Sequence, residues 1–440
     1  MTMLTRAGEA RDAALQMQGA LGSKANNTSS HITMPIASHS CQGLPHDNAV
    51  RTALRHARRT TVPPTFAFEA MKHDATTPDD SASRTMVHLV GSVTDEVFGF
   101  LGPATEALAV TGARQMVVMV DDFKQRHVLP RFHPLVELVL TPDARNPLRR
   151  WANWADAFRA SVAQRPWTAV HLHGIVPFLI GTCLVRFAGI RARLFYSPHG
   201  SNSMRSMRAV ASLLHWALGP LGRGVSRSAI SNSGAEARTL SMMIPEAVNL
   251  VESPVSQVFF DTQPHEARRP LIVAAGRDNN PRSAELFAQI AVLLNGEALE
   301  FGFNWIGTAD AESVVRLSAA NVALLDLTAD AERASRLAAG WVYLAPSGSR
   351  GFPLSLAEAM AIGVACIALD TPHHRDLIRH GETGYLCQTL HEFEACMAML
   401  IDDADLRQRT GRAGKAEAQK RFSARTFRES LRAAYGLVHV

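Results

Sequence analysis

The sequence predicts an α/β protein built from two parallel, doubly wound sheets. From Met86 onward, short runs rich in Val, Ile, Leu and Met alternate with longer segments of helical spacing, the pattern of repeated strand–helix units. The Pro- and charge-rich stretch 261–270 divides this alternation into two series. The segment 346–385 is the most regular unit of all: a loop, a helix, a strand apolar on both faces, and a turn flanked by Gly381 and Gly384.

Residues 1–85 are polar and aperiodic, with a weak helical pattern at 7–17 and a basic stretch at 51–59, and are expected to form a disordered extension. Met86 opens the first clear strand and could be the true start. Strands are expected at 86–90, 115–120, 136–140, 169–173, 192–197 and 229–232. Helices are expected at 100–110, closed by Gly112, and at 151–163, 176–187 and 235–242. This makes 86–262 a first Rossmann-like domain. In the second, 268–423, strands are expected at 271–275, 303–306, 322–325, 341–345 and 364–369, with a helix over 281–290. Two such domains facing each other would bind ligand in the cleft at the carboxyl ends of their strands.

Composition narrows the function classes. Hydrophobic residues make up 47% of the 440, enough for large cores, yet no apolar run reaches the length of a membrane span. The apolar stretch 175–190 contains Pro177 and Arg186 and reads as a buried helix. There is no signal-peptide pattern. The five cysteines are scattered and odd in number, which fits a reducing, cytoplasmic setting and argues against zinc. The eighteen histidines show no metal-ligand spacing, so no metal is expected; His171/His173 and His373-His374 read as local polar contacts. A formal charge of +5 suits anionic small molecules or a membrane surface, and no nucleic-acid motif is present. The helix 151–163 and the stretch 205–227 combine Trp151, Trp154 and Trp216 with arginines. They could rest on the inner face of a membrane, or turn their apolar side to the core and a basic side to water.

Within 346–385, Gly351 and Pro353 interrupt the chain before a helix, so the backbone N–H groups of Leu354 and Ser355 are expected at a helix start suited to an anion such as a diphosphate. Glu358 falls about one turn further in, where it can meet hydroxyls, and Gly363 ends the helix. At the strand-to-helix turn after 271–275, Arg277 and Arg282 are placed to neutralise a diphosphate leaving group.

These residues resemble the nucleotide-sugar site of the retaining GT-B glycosyltransferases of family 4, the glycosyl transferases group 1. The matching residues are Gly351-Phe352-Pro353-Leu354, Glu358-Ala359-Met360-Ala361, Gly363-Val364, His380-Gly381-Glu382-Thr383-Gly384 and Gly276-Arg277, with Arg282 where the family has Lys. The resemblance covers roughly 86–440. It implies a GT-B fold, with a terminal helix (424–440) crossing back to the first domain. It implies metal-independent transfer of a sugar from a nucleoside diphosphate sugar to a glycan or lipid-linked saccharide acceptor, with no cofactor. By the same resemblance Arg277, Arg282, Leu354 and Ser355 hold the diphosphate and Glu358 the ribose. Asn304-Trp305 lies near the base. His199, in Pro198-His199-Gly200, faces the cleft or serves only its turn. His173 has a structural role near the acceptor side, with Gly91, Asp95 and Glu96. Arg375-Asp376 is expected to form a mutual ion pair.

Two positions depart from the pattern. Arg350 stands where the family has the first of two glutamates eight residues apart, and a permanent cation cannot replace an acceptor carboxylate. Asp95-Glu96 stand before Val97-Phe98 where similar enzymes have Gly-Gly, and either point to solvent or bind acceptor hydroxyls. Enzyme, catalytically inactive binding partner and sugar-nucleotide epimerase of the same architecture therefore all remain readings of the sequence, with the enzyme preferred. If Arg350 recognises an acidic donor sugar through a bidentate contact with Gly351 and Phe352 beside it, a uronic-acid donor will outperform its neutral counterpart. Equal or reversed preference in a donor-competition assay rules that out.

Overall fold

The computed structural model describes residues 85–437 except 92–93, 122–131, 145, 164–166, 188–191, 201–226, 243–246, 277–280, 296–300, 327–328 and 348–350. Of the expected N-terminal extension (1–85) all but Thr85, which opens the first strand, lies outside these residues, as do most of the basic stretch 205–227, Arg277, Arg350 and the side chain of Asp95.

The first half runs β1 (Thr85–Val90), α1 (Asp95–Ala109), β2 (Arg114–Val120), β3 (Val136–Thr141), α2 (Pro147–Ala163), β4 (Ala169–His173) and α3 (Ile175–Phe187). It continues through β5 (Arg193–Ser197), β6 (Arg227–Ser231), α4 (Gly234–Ser241) and β7 (Ala247–Leu250). The strands form one sheet in the order β3-β2-β1-β4-β5-β6-β7, and every pairing is parallel. The second half begins with α5 (Gln257–Asp261), β8 (Leu271–Gly276), α6 (Pro281–Leu294), β9 (Gly302–Gly307), α7 (Ala311–Ala319), β10 (Ala323–Leu325) and α8 (Asp330–Ala338). It goes on with β11 (Val342–Ala345), α9 (Leu354–Ile362), β12 (Ala365–Leu369), α10 (Pro372–Leu377) and β13 (Tyr385–Cys387). Three helices follow: α11 (Leu390–Asp402), α12 (Ala404–Phe422) and α13 (Ala424–Ala434). Its sheet has the order β10-β9-β8-β11-β12-β13, again all parallel.

Strand order reverses between β1 and β4 in the first sheet and between β8 and β11 in the second. Those are the switch points at which open α/β sheets bind ligands. The expected α/β, doubly wound class is therefore what the chain adopts. The sequence pattern missed β7 and β13, each of four residues or fewer, too short for periodicity to register. Helix α1 starts five residues earlier than the expected 100, because Thr94 caps it by accepting from Val97 N at 3.3 Å. Asp95 and Glu96 thus open a helix rather than sit in a loop, and carboxylates are favoured at that end.

The stretch 175–190 is the expected helix α3 over Ile175–Phe187. In α2, Trp154 is fully buried against Val118 and Phe158 while Trp151 is half-buried, so this helix turns its tryptophans toward the core. No helix among the described residues is long and apolar enough to cross a membrane. The four described cysteines are free thiols.

Helix α9 is buried almost throughout. Gly363 closes it at φ 99°, a left-handed conformation open to glycine, and Gly411 of α12 lies so close that a Cβ there would stand 2.0 Å from the Gly363 oxygen. Helix α13 crosses to the first half as the resemblance implied. Its Phe427, Leu431 and Tyr435 complete a core with Met86, Phe100 and Phe195.

Candidate functional site

The two switch points face each other across a cleft. Glu96 and Gly99 of α1, with Asn232 and Ser253, line it from the first sheet. Gly276, Ser283, Trp305, Tyr343 and the start of α9 line it from the second, and His374 closes one side. Three polar atoms in this lining are buried without a hydrogen-bond partner: Asn232 Oδ1, Ser283 Oγ and His374 Nε2. Buried polar groups are nearly always paired, so three such atoms in one cleft mark a place where a polar ligand completes the set.

Of the residues singled out from sequence, Glu96, Gly276, Phe352, Leu354 and Ser355 line the cleft. Gly351 adjoins it: a Cβ there would lie 2.9 Å from Glu96 Oε1, so the glycine makes room for a carboxylate arriving from the other sheet. Phe352 is buried edge-on against Phe422 and anchors the loop. The Leu354 N–H is bonded to Phe352 O at 2.9 Å and is not available to an anion as expected. The first intrahelical bond is Ala357 N to Pro353 O, so Ser355 and Leu356 present the donors of that first turn. The Ser355 side chain bonds the Tyr343 hydroxyl, whose ionisation burial pushes well up.

Asn304 is half-buried on β9 and not among the lining residues; its neighbour Trp305 is, packed so tightly on Gly276 that a Cβ there would meet Trp305 Cζ2 at 2.2 Å. Alternation along a strand decides which of two neighbours faces the cleft, and its phase is not legible from the residues alone. Arg282 is exposed in the first turn of α6, beside the lining Ser283. Gly91, His173 and His199 stand at the ends of β1, β4 and β5, outside the lining. Gly91 is small because Pro177 packs on it, 2.5 Å from where its Cβ would be.

Glu358 is 2% exposed and is not among the lining residues. It accepts from Arg333 Nη2 at 2.6 Å, and Arg333, itself 4% exposed, also lies over the Phe259 ring and near Asp330. Arg333 went unmarked in the sequence. Helical spacing could have found it, since it shares the buried stripe of α8 with Ala334, Leu337 and Ala338. The expected pair Arg375–Asp376 does not form. Adjacent helical residues point apart, and Arg375 instead grips Asp370 at 2.5 and 2.6 Å. Asp376 reaches the first half, accepting from Ala235 N at 2.5 Å and Arg238 Nη2 at 2.7 Å.

Behind the first switch point lies a cluster that chain order conceals. Alternation puts His171 and His173 on one face of β4, and the parallel register sets His88 beside His171. His88 Nδ1 meets His173 Nε2 at 3.1 Å, and His173 Nδ1 meets His199 Nε2 at 2.8 Å. His171 bonds Tyr435 Oη at 2.7 Å and Ser197 Oγ at 2.9 Å. Donor atoms of His88, His171 and His173 lie within 4.8 Å of one another, the one group among the described residues that could hold a metal ion. A metal there would have to displace the hydrogen bonds just named. Burial pushes His88 down to about 4 and His199 to about 3, and it drives His171 and His173 well down with help from their neighbours. Buried Glu236 braces the His199 turn by accepting from Gly200 N at 2.9 Å and Ser231 Oγ at 2.8 Å. Burial raises its pKa while these bonds oppose the rise.

Residues 269–403 match the family model for glycosyl transferases group 1. This domain belongs to the group 1 glycosyl transferases. The chain is 30% identical over 194 residues to a phosphatidyl-myo-inositol mannosyltransferase of Mycobacterium tuberculosis, covering 40% of this chain and 49% of that protein. It is 28% identical over 142 residues to the UDP-N-acetylglucosamine–peptide N-acetylglucosaminyltransferase GtfA subunit of Streptococcus pneumoniae, covering 31% of this chain and 28% of that one. The alignments thus span half or less of these relatives. Beside the group 1 domain, the rest of the fold is matched by solved structures. Sucrose-phosphate synthase from Thermosynechococcus elongatus superposes with a TM-score of 0.64 at 16% identity, over 80% of this chain and 99% of that one. Anabaena HepE, solved with UDP and glucose, superposes with a TM-score of 0.63 at 15% identity, over 81% and 100%. The fold is GT-B.

Two outcomes follow from the burial of these charges. Glu358→Ala leaves the buried Arg333 guanidinium with only the half-exposed Asp330 as partner and lowers stability by about 2–4 kcal/mol, with Glu358→Gln costing less; equal urea midpoints for wild type and Glu358→Ala would show the pair to be unimportant. The histidines have folded pKa values below their ordinary range, so the unfolded chain takes up protons first as pH falls. Stability is full above about pH 6.5 and is lost toward pH 4, by up to about 1.4 kcal/mol per pH unit for each neutral histidine. A urea midpoint that stays level from pH 7 to 4.5 would contradict this.

Proposed function

We propose that the protein is a retaining, metal-independent glycosyltransferase that moves a sugar from a nucleoside diphosphate sugar to a hydroxyl of a glycan or lipid-linked saccharide. The observation that carries this reading is the set of unpartnered buried polar atoms, Asn232 Oδ1, Ser283 Oγ and His374 Nε2, lining a cleft that also holds the start of α9. The first-turn N–H groups of Ser355 and Leu356 would receive the diphosphate, aided by the partial positive charge of the helix start. Arg277 and Arg282 would offset the charge that develops on it as the glycosidic bond breaks. Trp305 beside Gly276 offers a flat wall to the base, and Glu358, paired with Arg333 outside the lining, braces α9 from behind the cleft.

Glu96 is the one carboxylate among the described lining residues, and it comes from the first sheet. There it can accept hydrogen bonds from hydroxyls of the transferred sugar, the task for which Arg350 is unsuited. Acceptor hydroxyls would approach from the same side, where Glu96 and Gly99 line the cleft. The mycobacterial relative's name supports a lipid-linked acceptor. Such an acceptor would bring the protein to a membrane surface.

The test is donor-dependent release of nucleoside diphosphate across neutral and acidic UDP-, GDP- and ADP-sugars, with nucleotide binding measured in the same samples. Glu96→Gln is expected to lower release about tenfold or more, the worth of a hydrogen bond to a charged group, while nucleotide binding stays within about twofold. Binding without release, even with candidate acceptors added, would instead favour a catalytically inactive GT-B protein that serves as a binding partner.

A further inference from the structure

Among the three unpartnered atoms of the cleft, one has its chemistry fixed from behind. His374 lies in the first turn of α10, just after β12, and is fully buried; Thr371 Oγ1 accepts from its backbone N–H at 3.2 Å. Its Nδ1 meets Leu369 O at 2.6 Å. A carbonyl oxygen only accepts, so Nδ1 carries the ring proton. The Asp370 carboxylate on the same loop is taken up by Arg375 and Gln388, at 2.6 and 2.8 Å, and makes no hydrogen bond to the imidazole. Burial pushes His374 down to about 4, so the ring is neutral at pH 7. Its Nε2 is therefore a bare acceptor, buried in the cleft lining and without a partner among the described residues. A hydroxyl or an N–H of a ligand can meet it; an ionised phosphate, a carboxylate or an ether cannot.

The other half of the molecule brings a second polar group to the same corner. Ser233 Oγ meets His373 Nδ1 at 3.3 Å and Ala235 N donates to Asp376 at 2.5 Å, so the segment that carries Asn232 runs alongside the first turn of α10. Asn232 is buried and lines the cleft, with its Oδ1 unpartnered. An amide can present either its oxygen or its nitrogen, so Asn232 adapts to the ligand and His374 sets the demand. The order of the second sheet tells which part of a ligand arrives there. Trp305 is on β9, Gly276 closes β8, the start of α9 follows β11, and His374 follows β12. Neighbouring strands are about 4.8 Å apart, so three steps separate His374 from the indole by about 14 Å, with the helix start between them. With a base on Trp305 and a diphosphate at the first turn of α9, the group that reaches β12 lies beyond the diphosphate.

We propose that His374, with Asn232 beside it, reads a hydroxyl of the sugar carried by the nucleoside diphosphate, its Nε2 accepting a hydrogen bond from that hydroxyl and so selecting donors that have one there. The identity of the ligand rests on the glycosyltransferase reading given above; the fixed acceptor does not. No proton changes hands in this contact, so His374 determines specificity and leaves the chemistry of transfer to other groups. Because one partner comes from each half, a sugar bound here also ties α10 to the end of β6.

The experiment measures binding of UDP-, GDP- and ADP-hexoses, and of UDP, GDP and ADP alone, to the full chain and to His374→Leu and His374→Gln. Long-range 1H–15N spectra of the 15N-histidine-labelled wild type are recorded in the same series, with His374 assigned by its absence from His374→Gln. Without ligand, His374 should be neutral and protonated on Nδ1. The sugar nucleotide that binds should shift its Nε2 resonance, and the bare diphosphate should not. His374→Leu should weaken that sugar nucleotide about tenfold, the worth of a hydrogen bond whose donor is left unpaired, while the bare diphosphate stays within about twofold. His374→Gln, whose side-chain oxygen reaches the place of Nε2, should recover part of the loss. Of analogues with one sugar hydroxyl at a time replaced by fluorine, one should bind the wild type about tenfold more weakly and bind His374→Leu no worse than the parent does. A ring protonated on Nε2, an Nε2 resonance that answers to the bare diphosphate, or equal losses for sugar nucleotide and diphosphate overturns the proposal. If His374→Leu fails to fold, the wild-type spectra and the fluorinated series decide. A sugar-dependent shift in a protein that releases no nucleotide would uphold the role of His374 and overturn the transferase reading. Release with His374 unmoved by the sugar would do the reverse, and no response to any nucleotide would overturn both.

Discussion

Asp376 sits on α10 of the second half, yet its carboxylate accepts from the first turn of α4 in the first half, and the width of the cleft follows from that contact. Ser233 caps the same helix by accepting from Glu236 N, and its hydroxyl also meets His373 of α10 at 3.3 Å. Arg421 of α12 grips Glu252 of the first half and donates to Asp376 O at 2.7 Å, so one arginine holds both ends of the bridge. A helix start, two carboxylates and a guanidinium make a directional joint. Apolar contact alone would let the halves slide.

The same economy of contact runs through the donor side. Helix α9 is buried because α8, α12 and β12 close around it, and only its first turn reaches the cleft. Glu358 lies one turn too deep for open solvent and is stabilised there by Arg333. Glycine at 276 and 351 brings an indole and a foreign carboxylate, respectively, to the backbone. The site is thus assembled by close approach, and larger residues at these positions would fill the space that a ligand needs.

How much of this could be read in advance depended on the range of each interaction. The strand–helix alternation, the helix after Gly351 and its end at Gly363 rest on periodicity and punctuation within a few residues, and the sequence carries those plainly. The first-domain contribution was legible only in outline. Asp95-Glu96 were visible as a departure from a glycine pair, but the cap at Thr94 that turns them into a helix start was not. The histidine cluster depends on the register of β1 against β4 and β5, which no local pattern states; from the sequence alone His171 and His173 were two polar residues in a strand. Arg333 and Glu358 are separated by a strand and a loop. The mistaken Arg375–Asp376 pair came from treating sequence neighbours as spatial neighbours on a helix.

Helix α13 has a further consequence, for how the protein is made. Tyr435 contacts His171 across 264 residues of sequence, and Phe427 and Leu431 fill the same core as Met86 and Phe100. A ribosome therefore synthesises the whole group 1 domain before one face of the first sheet has its complete core. Domains usually fold in the order they emerge; here the first to emerge is the last to be completed.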